Sequence, residues 1–266
     1  MHILVNLFHT SRIAIALFSM LLTSFYFEAM DAPIDRLYLL VTGTSVLLVY
    51  RYAASTLTQI HSQGFCSGWA SHPWVFISAL LWLAFMATYQ SISILFLALL
   101  AALMTTAYFI KILPFGEALT KHNFLKPLVT GWVFSLLTTA IPLLISKQYL
   151  WHEIAKITAG NVFFITGLCV LFDLFERFTS ATETYVSAIR IYKRFANGLI
   201  VSAGIFHAWA AYTFIISISA FVALAMTYGI TLVGIKFASS NRNTALYHLM
   251  ADSMMAMPWV VWQLLL

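Results

Sequence analysis

The chain has 266 residues, of which 62% are apolar, 16% aromatic and 9% charged. That balance lies far outside the range of soluble domains and points to a polytopic membrane protein. The net charge of +5 does not argue for nucleic acid, because in a membrane protein the position of positive charges matters more than their sum.

The opening stretch, "MHILVNLFHTSR", is short and runs at once into apolar sequence. It reads as an amphipathic lead-in rather than a cleavable signal. Nine spans follow, at roughly 13–30, 37–54, 74–89, 91–110, 125–145, 154–173, 195–213, 215–235 and 245–264. Most approach the ~20 residues needed to cross about 30 Å of hydrocarbon. The short turns after the third and seventh spans predict helical hairpins. Pro127 sits at the start of span five, where a missing N–H costs little, and Pro258 is expected to kink span nine. Trp69, Trp74, Trp151 and Trp262 fall near span ends, where amphipathic rings are favoured. Cys66 and Cys169 have neither the spacing of a metal site nor a partner set for a disulfide framework.

Positive charge alternates with the spans. Arg12, Arg51, Lys111, Lys121, Lys126, Arg177, Arg190, Lys193, Arg194, Lys236 and Arg242 fall on one side, against Arg36, Lys147 and Lys156 on the other. The bias places the N-terminus in the cytoplasm and the C-terminus outside, in a multi-pass protein of the cell membrane. The chain reads as one integral membrane domain over 1–266, with its longest connections (55–73, 111–124 and 174–194) all on the cytoplasmic side.

Chemistry concentrates at the end of span six, in "FDLFERFTSATETYVSAIR". Asp173 and Glu176 are three apart, hence on one helical face, and can share one Mg²⁺. Arg177, Arg190, Lys193 and Arg194 nearby suit an anionic substrate such as a diphosphate. The plainer alternative is that these acids stay ionised at the interface and pair with Arg177 or Arg190. Arg51, flanked by Tyr50 and Tyr52, is either a snorkelling anchor or an anion contact, and Lys126 has the same two readings. Asp252 lies inside span nine with His248 four residues before it. They read first as a buried polar pair that fixes packing, and second as a proton-linked or catalytic pair. His207 stands alone among apolar neighbours and reads as a packing residue. No Walker loop, zinc-type His pair, strand-linked nucleophile or Gly-rich dinucleotide turn occurs.

The arrangement resembles the UbiA superfamily of membrane prenyltransferases. Tyr50 and Arg51 close span two, "FLKPLVTGWVFSLLTTAIPLL" is similar to the family's fifth helix, and "LFDLFERF" stands where its second acidic motif belongs. "MADSMM" resembles a run in the last helix of short members. The resemblance implies a UbiA-like all-α bundle of about nine helices. It also implies transfer of an isoprenoid chain from a prenyl diphosphate to a lipid or aromatic acceptor, assisted by Mg²⁺. Asp173 then matches the second motif's first acid and Glu176 its next, while Ser180 stands at the later one. The first motif has no counterpart, since no Asp or Glu occurs between Arg36 and Gly116. Arg51 then stands in as a direct diphosphate contact. Loss of that motif also fits a catalytically silent UbiA-like protein that binds lipid or supports a complex. A small-solute transporter using Asp252 and His248 is the third reading.

Overall fold

The computed structural model describes residues 13–59, 73–109, 125–177, 186–237 and 250–266, and among them the chain is helical throughout with no strand. The helices are α1 (Ile13–Ala29), α2 (Arg36–Gln59), α3 (Pro73–Tyr89), α4 (Ile92–Phe109), α5 (Leu125–Ser135) and α6 (Ile141–Ser146). They continue with α7 (Trp151–Arg177), α8 (Val186–Tyr212), α9 (Ile218–Phe237) and α10 (Met257–Leu265). Three stretches are long and apolar enough to cross a bilayer: Leu125–Ser146, Trp151–Asp173 and Ile218–Lys236. Ile13–Ala29, Arg36–Val49, Ile77–Tyr89 and Ile92–Thr105 are shorter apolar helices.

Two segments expected to be loop are helix. α7 continues past Asp173 to Arg177, and α8 begins at Val186, ahead of Arg190, Lys193 and Arg194. Arg and Lys are good helix formers, so a helix outlasts the apolar stretch that anchors it. α2 likewise runs beyond Tyr50 and Arg51 to Gln59.

Between α5 and α6 the chain forms a π-helical turn, Leu136–Ala140. Such a turn disturbs the regular carbonyl pairing, and the Tyr38 hydroxyl donates to the Leu137 carbonyl there. Pro142 follows in the first turn of α6. Lys147 then ends that helix in the left-handed conformation, φ 55°.

Packing follows the chain in part. α7 lies along α8, α5 against α7, α1 against α2, and α9 against both α8 and α10. The predicted hairpin of α8 and α9 forms. The predicted hairpin of the third and fourth spans does not: α3 packs on α2 and α4 on α5, so the tight turn at Gln90 (φ 41°) joins helices that part.

One end of the molecule gathers acids. Asp35 caps α2, its Oδ1 accepting the Tyr38 N–H at 3.0 Å, while its Oδ2 accepts the Tyr89 hydroxyl. Glu28 at the end of α1 accepts from Trp259 (3.2 Å) and Gln263 of α10. Tyr149 lies within electrostatic reach of Asp31 and Glu153. Segments 28–35, 89, 149–153 and 259–263 therefore share this end.

Candidate functional site

The other end carries the charged pair. Gly131 of α5 faces Thr166 of α7 so closely that a Cβ on the glycine would lie 2.1 Å from the threonine Oγ1. Such an approach requires a residue without a side chain, and it sets the register of the two helices. α5 and α7 run antiparallel, because the π turn and α6 continue α5 and only the turn at 147–150 then leads into α7. One to two turns beyond that contact, Lys126 on α5 therefore meets Asp173 on α7. The Lys126 ammonium donates to Asp173 Oδ1 at 2.7 Å.

The partners are unequal. The Lys126 side chain is 27% exposed and that of Asp173 only 4%. Asp173 Oδ2 is buried and has no hydrogen-bond partner among the described residues. A buried carboxylate held by one hydrogen bond is incompletely compensated, since the oxygens of a carboxylate offer about four acceptor sites.

A third charge belongs to the same neighbourhood. Cys169, one turn before Asp173, lies within electrostatic range of Asp173, Lys126 and Asp252. Asp252 comes from a short helical piece at 250–253, followed by a turn at 254–256 and then α10. The expected kink at Pro258 is instead a break just before it, with Pro258 in the first turn of α10, where proline is tolerated. Across the break the Met255 and Ala256 N–H groups bond to the carbonyls of Asp252 (3.1 Å) and Ser253 (3.0 Å), three residues back rather than four. Interrupted helix within an apolar stretch is tolerated where protein surrounds it.

The remaining predicted basic residues whose side chains are described lie on α8. Lys193 is half-buried and Arg194 exposed on α8, as is Arg190. Tyr50, Arg51, Glu176 and Arg177 lie on helices, but their side chains fall outside the described residues, as does all of His248. The expected Asp173–Glu176 pair and the His248–Asp252 pair therefore both involve residues that are not described.

Glu176, the second expected Mg²⁺ ligand, has its side chain outside the described residues. Among the described residues no group of three or more His, Cys, Asp or Glu side chains is placed to hold a metal. Asp173 offers one uncommitted oxygen, with an ammonium 2.7 Å from the other. Mg²⁺ demands near-octahedral oxygen ligands and is repelled by a neighbouring cation.

His207 proves to be less solitary than its sequence neighbours suggest. The Tyr228 hydroxyl lies 2.8 Å from its Nδ1, the Ala203 carbonyl 3.0 Å from the same nitrogen, and the Tyr26 hydroxyl 3.5 Å from Nε2. The ring lies over Gly160 of α7, where a Cβ would come 2.4 Å from Cε1. Tyr26 also reaches Thr139 of the π turn, and Asn161 donates to Thr138 (3.1 Å) and Thr139 (2.7 Å). Side chains from α1, the π turn, α7, α8 and α9 thus form one buried polar cluster. The packing reading of His207 fits this geometry.

No family model, curated protein or solved structure matches the chain.

Proposed function

We propose that the chain is a UbiA-like integral membrane protein of nine spans, with a cytoplasmic N-terminus, whose Lys126–Asp173 end binds an isoprenoid diphosphate. Its activity is transfer of the prenyl group to a lipid or aromatic acceptor. The observation that carries this reading is the convergence of Lys126 and Asp173, 47 residues apart in sequence, into a half-compensated pair at the ends of two apolar helices. A cation reachable from water beside lipid-facing helices suits an amphiphile with an anionic head and an apolar tail. In the transfer, the allylic C–O bond breaks and its electron pair leaves with pyrophosphate. An electron pair of the acceptor then closes on the carbocation, and a proton is lost from the acceptor. The chain's own share is to hold the head group and keep water from the cation.

The second reading is a catalytically silent UbiA-like protein that binds lipid or supports a complex. The buried Tyr26–His207–Tyr228 cluster favours it, because bonded polar side chains fill the space between α1, α8 and α9. Both readings are separated by presenting purified protein in lipid nanodiscs with farnesyl diphosphate and a phenolic acceptor. Release of pyrophosphate with a prenylated product supports transfer. Saturable binding without release supports the silent form, and neither binding nor release defeats both.

A further inference from the structure

We infer that Lys126, rather than a metal bridged through Asp173, is the group that receives the diphosphate, and that Asp173 is the internal counter-ion holding Lys126 in place. The inference rests on the prenyl-diphosphate reading above and specifies how that site recognises its ligand.

Accessibility comes first. With the Lys126 side chain 27% exposed and Asp173 4%, a solute approaching this end meets the ammonium before the carboxylate. An ammonium carries three N–H groups, so one stays on Asp173 while another turns to a phosphate oxygen.

The second observation is the uncommitted Asp173 Oδ2, buried and without a partner among the described residues. Asp173 already occupies the cation's neighbourhood as a phosphate oxygen would, bonded through Oδ1 at 2.7 Å. A dication on Oδ2 would stand next to that ammonium and be repelled. The carboxylate therefore positions Lys126 and, being negative, opposes an incoming diphosphate. A metal-bridging carboxylate would do the reverse, so the two roles predict opposite effects of neutralising Asp173.

The test measures binding of farnesyl diphosphate to the full-length protein in nanodiscs, with EDTA and with Mg²⁺, using inorganic pyrophosphate as competitor. The wild type is expected to bind in EDTA. Lys126→Met should weaken binding roughly ten- to a hundredfold. Asp173→Asn should retain it or tighten it by about three- to tenfold. The double variant Lys126→Met/Asp173→Asn removes both charges of the pair and guards against misfolding. If it melts as the wild type does and binds poorly while Asp173→Asn alone still binds, Lys126 is the receiver; wild-type binding by the double variant overturns the inference. Binding that requires Mg²⁺ and is lost in Asp173→Asn also overturns it, while leaving the prenyl-diphosphate reading intact. No binding under either condition removes both.

Discussion

Two buried polar regions of the bundle contrast sharply. Around His207, five helical segments bring neutral groups together, and each ring polar atom has a partner at 2.8–3.5 Å. At Lys126–Asp173, one carboxylate oxygen is bonded at 2.7 Å and the other has no partner among the described residues. The His207 ring is bonded at both nitrogens and locks helices to one another. The second region is open at one oxygen, with its lysine 27% exposed. Not every loose end marks a site, since Asn161 Oδ1 and several hydroxyls are also without partners. What sets Asp173 apart is charge, because an incompletely compensated ion costs far more than an idle hydroxyl.

The largest expected effect tests the charged side of that contrast. Lys126→Met alone leaves Asp173 buried and uncompensated, which should destabilise the fold by about 3 kcal/mol. Adding Asp173→Asn should recover most of the loss, as read from thermal melting in detergent. Equal loss in single and double variants would mean that lysine packing, not charge, matters here. Next in size, His207→Ala strips Tyr26 and Tyr228 of their shared partner and opens a cavity, an effect of about 2 kcal/mol. Ligand binding should survive it, and loss of binding at unchanged melting would merge the two regions into one site. Gly160→Ala should cost about 1–2 kcal/mol, because the new Cβ falls 2.4 Å from His207 Cε1 and the bonded ring has little room to retreat.

The smallest effect lies at the acidic end. Burial first, and then the nearby carboxylates of Asp31 and Glu153, raise the Tyr149 hydroxyl above its ordinary value of 10.0. The folded state therefore binds this proton more tightly than the unfolded state. Its contribution is fully present below that ordinary value and is lost as pH rises through the raised one. Tyr149→Phe should flatten the alkaline loss of melting temperature, and an unchanged profile would assign that loss to other groups.

The sequence made the apolar segments legible because long runs without charge have few alternatives to helix. Helix ends were less legible, since Arg190, Lys193 and Arg194 carry no apolar signal yet extend α8. The π turn left no mark in "LLTTA" that distinguishes it from ordinary helix. Asp173 stood out as one of nine acids in the chain. Its pairing with Lys126 did not, because that contact depends on the α5–α7 register set by Gly131 and Thr166. His207 looked isolated for the same reason, since its partners lie 181 and 21 residues away.

The most direct measurement is photolabelling of the wild-type protein in nanodiscs with a diazirine-bearing prenyl diphosphate, followed by peptide mapping. A diphosphate site at Lys126 predicts labels on α5 and α7 near Cys169, suppressed by inorganic pyrophosphate. Labels spread over the lipid-facing helices and indifferent to pyrophosphate would contradict it.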